Sequence, residues 1–89
     1  MKTILITISG KVQGVFYRQS TKEMAGSLGI NGIVKNMANG DVQIIATGMK
    51  EQLDALIQWC HQGPPRAQVA SVIIEEVSLQ DLEGFRILR

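Results

Sequence analysis

Cysteine occurs only once in this sequence, as Cys60. One thiol closes no internal disulfide and builds no cysteine cluster for zinc, so a metal-carrying module that relies on paired cysteines is excluded. Aromatic residues make up only 4% of the chain, too few to stack bases across a sheet as an RNA-reading module does. An excess of charge is lacking too: the net charge is +1, with both signs interspersed. That argues against broad nucleic-acid binding, which usually needs a basic face. No apolar run approaches a membrane span, and Thr3 and Thr7 interrupt the run at the N-terminus, so no signal-peptide pattern forms. The expected location is cytoplasmic, with no membrane partner. Neither GxGxxG nor GxxxxGK[ST] occurs, which leaves nucleotide binding weakly supported.

What is present reads as one domain, residues 1–89, with 45% hydrophobic and 19% charged residues. A chain of that length buries roughly 60% of its unfolded surface, enough for a fold without staples. Residues 3–9 alternate strictly, with Ile4, Ile6 and Ile8 on one face and Thr3, Leu5, Thr7 and Ser9 on the other. Period-two alternation predicts a half-buried strand. A helix is predicted next, with Tyr17, Thr21, Met24, Ala25 and Leu28 on one stripe and Gly29 at its C-cap. A capping box at Ser20-Thr21-Lys22-Glu23 would delay its start, but the apolar stripe already includes Tyr17, which favours a start near that residue. Residues 32–37 read as a short strand, Asn39-Gly40 as a hairpin turn, and residues 42–47 as a strand with Val42, Ile44 and Ala46 inward. A second helix carries Met49, Leu53, Leu56, Ile57 and Cys60 on its stripe, and Gly63 and Pro64 stop it. Residues 68–77 form a valine- and isoleucine-rich strand whose inward phase the pattern leaves open. After a bend at Gln80-Asp81, Phe85 and Ile87 mark a short last strand.

The order βαββαβ plus a C-terminal β predicts an α+β fold of the split βαβ, ferredoxin-like kind, with an antiparallel sheet and both helices on one face. That topology makes the first strand and the strand at 32–37 parallel, separated by the strand at 42–47. Their C-terminal ends then share one edge of the sheet, about 10 Å apart. Asn36 and the loop after the first strand both fall there.

That loop, Gly10-Lys11-Val12-Gln13-Gly14-Val15-Phe16-Tyr17-Arg18, organises the chain. Two glycines allow successive N–H groups to turn toward one point. The helix N-terminus beyond adds free amides and a partial positive charge, and Arg18 adds a planar fork of donors suited to phosphate or carboxylate. Read physically, this is an anion pocket. Asn36 offers an amide that accepts from a water and donates to an oxygen.

This loop, with Gly32-Ile33-Val34-Lys35-Asn36 and Asn39-Gly40-Asp41-Val42, resembles the acylphosphatase family. Trp59, Gly63-Pro64 and Phe85 fall where that family's pattern puts them, so the resemblance covers nearly the whole chain. Ile33 departs from it, since many relatives carry an aromatic there; the change touches packing beside the site. The resemblance implies hydrolysis of acyl phosphates to a carboxylate and inorganic phosphate, with a small-molecule acyl phosphate as partner and with neither metal nor organic cofactor. It also implies that Arg18 binds the phosphate and that Asn36 positions the attacking water. The main-chain amides of Gln13, Gly14, Val15, Phe16, Tyr17 and Arg18 would complete the cradle. Nothing in the sequence demands more than a monomer.

Each residue also has a plainer reading. Alone, Arg18 is a surface arginine near a helix start and Asn36 a turn or edge residue; the joint pattern carries the argument. Met24, Met37 and Met49 are packing residues, Trp59 is half-buried, and Glu75-Glu76 is a solvated strand end. Cys60 and His61 are neighbours on a helix and do not face each other. The competing function is a non-catalytic module of the same fold that holds an anion or a phosphate-bearing metabolite.

Overall fold

The computed structural model describes residues 1–88. Its elements are β1 (Lys2–Lys11), α1 (Tyr17–Leu28), β2 (Asn31–Asn36), β3 (Val42–Gly48), α2 (Lys50–Gln62), β4 (Gln68–Val77) and β5 (Phe85–Leu88). They form one five-stranded sheet in the order β4-β1-β3-β2-β5. The alternation in the sequence does what it predicts: Ile4, Ile6 and Ile8 of β1 and Val42, Ile44 and Ala46 of β3 are all buried. They meet Leu53, Leu56 and Cys60 of α2 and Ala25 of α1 in one core. The α1 helix begins at Tyr17, and the Ser20 N–H donates to the Phe16 carbonyl as part of the helix. Gly29 ends it at φ 75°, a left-handed conformation that suits a residue without a Cβ.

Two expectations need correction. Met49 is not on the inward stripe of α2. It is the N-cap residue and is exposed, with its N–H held by Gln52 Oε1 at 2.8 Å. The sheet is also mixed rather than antiparallel: β1–β3, β1–β4 and β2–β3 pair antiparallel, but β2 and β5 pair parallel. The connection between β4 and β5 explains this. β4 ends at Val77 beside Thr3, at the start of β1. The chain then crosses that end of the sheet, fixed where Gln80 N–H donates to Thr3 Oγ1 and Thr47 Oγ1 donates to the Gln80 carbonyl. It reaches the start of β2, where Gly32 N–H donates to the Gly84 carbonyl. A strand that sets out from the start of β2 runs the way β2 runs. The phase left open for β4 resolves as that of an edge strand, with Ile73 and Ile74 on opposite faces and both exposed.

Candidate active site

β1 and β2 are both antiparallel to β3 and therefore parallel to each other, so the ends of both strands lie at one edge of the sheet. Register fixes the direction of Asn36. It pairs with Val42, which pairs in turn with Ile8, so Asn36 continues the inward row of Val34 at a position where the alternation calls for an apolar side chain. Its Oδ1 is buried and has no hydrogen-bond partner among the described residues. Leaving such an oxygen unpaired costs about 1–3 kcal/mol. A cleft of about 340 Å³ opens there, lined by Val12, Gly14, Phe16, Tyr17, Arg18, Gln19, Asn36 and Ile87.

The loop before α1 is shaped by two left-handed residues, Gly14 at φ 73° and Phe16 at φ 66°. Such alternation of the backbone turns successive N–H groups to one side. For Phe16, which carries a Cβ, the conformation costs roughly 1–2 kcal/mol. The N-terminus of α1 carries no side-chain cap and no acidic residue in its first turn. Among the described residues, the loop and cap hydrogen bonds include none donated by the main-chain N–H groups of residues 13–18. Gly10, the first residue of the stretch the sequence singles out, does other work. It lies within β1 at a register shift against β4, at φ 122°, and a Cβ there would lie 2.2 Å from the Gln68 carbonyl oxygen.

Two devices hold the site. The Tyr17 hydroxyl donates to the Cys60 carbonyl at 2.7 Å, and the Tyr17 ring packs at 5.4 Å from that of Trp59. The residue before Arg18 is thereby anchored to the end of α2. Burial, with smaller contributions from Cys60, pushes the Tyr17 phenol far up, and burial likewise pushes the Cys60 thiol up to about 12. Cys60 is thus an inert core thiol. The second device is the Gln13 side chain, whose Nε2 donates to the carbonyls of Met37 at 2.8 Å and Asp41 at 3.0 Å. It ties the loop after β1 to the β2–β3 turn that follows Asn36. The sequence pattern points only to the Gln13 main-chain amide; the polar side chain between Val12 and Gly14 is its one signal of a further role.

Of the residues expected in the site, Gly14, Phe16, Tyr17, Arg18 and Asn36 line the cleft, whereas the Gln13 side chain faces the turn and the Val15 side chain is in the core. Arg18 Nη1 also donates to the Leu88 carbonyl at 3.4 Å, which brings the last strand to the cleft. Whether the terminal carboxylate of Arg89 reaches Arg18 lies outside the described residues.

The family model for acylphosphatase matches residues 4–87. The chain belongs to the acylphosphatase family. A curated acylphosphatase from Acaryochloris marina is 51% identical over 82 residues, 92% of this chain and 88% of the relative. An acylphosphatase structure from Coxiella burnetii superposes with a TM-score of 0.95 at 41% identity, covering 98% of this chain and 92% of that one. One from Bacillus subtilis gives 0.97 at 30% identity over the full length of both. The acylphosphatase fold thus accounts for the whole described sheet, the parallel β2–β5 pair included.

Proposed function

We infer that this acylphosphatase hydrolyses acyl phosphates with Arg18 and the main-chain N–H groups of residues 13–18 holding the phosphoryl group and Asn36 holding the attacking water. The observation that carries this reading is the convergence of an uncapped helix N-terminus, a guanidinium and a buried, unpartnered amide oxygen on one cleft. Asn36 Oδ1 accepts a hydrogen bond from the water and directs its oxygen at phosphorus. As that P–O bond forms, the bond from phosphorus to the acyl oxygen breaks and the carboxylate leaves with the electron pair. A carboxylate leaves readily, so no strong general acid is required. The negative charge spreads over three equatorial oxygens, and stabilising it is a matter of positioned donors. In this reading residues 1–89 act as one monomeric, cytoplasmic unit on a small-molecule acyl phosphate.

Among the described residues the polar lining of the cleft is a guanidinium, the amides of Gln19 and Asn36, and main-chain donors, all of which hold an anion or a water directly. Release of inorganic phosphate from a synthetic acyl phosphate is therefore expected to persist in excess chelator. Since no carboxylate, imidazole or thiol among the described residues lines the cleft, kcat is expected to stay nearly flat between about pH 5 and 8. A chain that binds phosphate without releasing it from the acyl phosphate would be an anion-binding module. A steep profile across that pH range would overturn this reading of the cleft.

A further inference from the structure

Phe16 is the one non-glycine residue with positive φ among the described residues. A left-handed residue there explains how its N–H joins the cradle, but glycine or asparagine would serve that need with less strain. Nor does packing account for the ring: Phe16 is 71% exposed. It stands at the cleft, whose other part-exposed apolar side chain is Ile87, with Val12 behind. The polar groups of the cleft, Arg18, Gln19 and Asn36, meet the needs of a phosphoryl group and a water. The volume of about 340 Å³ lies in the range of small-ligand sites and is far more than a tetrahedral anion fills. What remains is an apolar wall with an aromatic face.

We propose that Phe16, with Ile87, forms the acyl-group wall of the cleft and selects acyl phosphates whose acyl part is aromatic or bulky and apolar over those with a short one. The inference rests on the activity proposed above and names the side of the substrate that activity leaves unspecified. The ring is exposed until substrate binds, and closure of the acyl group against it removes both apolar surfaces from water.

The test compares kcat/KM for benzoyl phosphate and acetyl phosphate in the native chain and in Phe16→Asn, Phe16→Gly and Phe16→Tyr. Because the loop backbone also belongs to the cradle, the ratio is the readout: losses common to both substrates cancel. The native chain is expected to favour benzoyl phosphate, and Phe16→Asn and Phe16→Gly to lower that preference about tenfold, the scale of one aromatic contact. Phe16→Tyr, which keeps the ring, is expected to retain it. An equal change for both substrates would overturn the proposal. The inhibition constants of benzoylphosphonate and acetylphosphonate, measured by competition or by direct binding, read the same wall without turnover. If the native chain turned over neither acyl phosphate, the proposed activity would fail, while the phosphonate pair would still decide on Phe16.

Discussion

Arg18 and Asn36 are both polar and both line one cleft, yet their surroundings differ in a way that supports the separate roles proposed for them. Arg18 is half-buried, reaches the Leu88 carbonyl only at 3.4 Å, and has its fork of donors available for an anion. Asn36 ends an inward-facing row and lines the cleft, with its acceptor oxygen buried and unpaired among the described residues. A guanidinium grips an anion in ground and transition states alike, whereas a residue that aims water contributes as the reaction proceeds. Asn36→Ala is therefore expected to lower kcat by about 10²–10³ while inorganic phosphate competes as well as before. Arg18→Gln is expected to weaken inhibition by phosphate at least about tenfold, because a charge-assisted hydrogen bond is lost, and to lower kcat as well. Phosphate inhibition untouched by Arg18→Gln would reverse the assignment.

At the scale of elements, most of the architecture is legible in the sequence because local signals and tertiary packing agree. The alternation in β1 and β3, the Gly29 cap and the start of α1 at Tyr17 all follow from rules that act within a few residues. What escapes the pattern depends on partners distant in sequence. β5 runs parallel to β2 because of where residues 78–84 cross the sheet, and no periodicity records a crossing. The phase of β4 is unreadable because an edge strand is covered on neither face along most of its length. Gly10 reads as part of an anion loop until its close approach to Gln68 is seen. Within the site, the glycine loop, Arg18 and Asn36 are legible from their joint pattern, but the Gln13 clamp is not, because the carbonyls it bridges lie 24 and 28 residues away. Among the described residues that clamp is the only side-chain hydrogen-bonding link between the loop after β1 and the β2–β3 turn, so in the proposed mechanism it would set the distance between cradle and water. Both carbonyls keep a main-chain partner, Gly40 N–H for Met37 and Met37 N–H for Asp41. Gln13→Leu should therefore cost only about 1–2 kcal/mol in urea unfolding. Its effect on kcat should be larger than that loss suggests, about tenfold, since a small misplacement of reacting groups is costly. A variant as unstable as this but fully active would show that the turn needs no clamp to hold Asn36.

For the molecule as a whole, the pair that anchors the site also sets a limit on stability at high pH. Tyr17 and Cys60 join the start of α1 to the end of α2 across the core. Burial is the main cause that holds the protonated form of each in the folded chain, raising the phenol far above its ordinary range and the thiol from 9.0 to about 12. In the unfolded chain both groups lose their protons near those ordinary values. Above about pH 9 the unfolded state thus binds fewer protons than the folded state, and stability falls as pH rises. Below that pH both states hold both protons, and the contribution is present in full and constant. The urea midpoint is expected to be level from pH 6 to 8 and to drop steadily above pH 9. Each group adds a slope of up to about 1.4 kcal/mol per pH unit. Tyr17→Phe keeps the ring against Trp59 and removes one titrating group, so it should start less stable for want of the hydrogen bond to Cys60, yet lose stability less steeply with pH. An equal slope in Tyr17→Phe and the native chain would mean that the phenol ionises as readily folded as unfolded, and that the link between the two helices does not keep its proton.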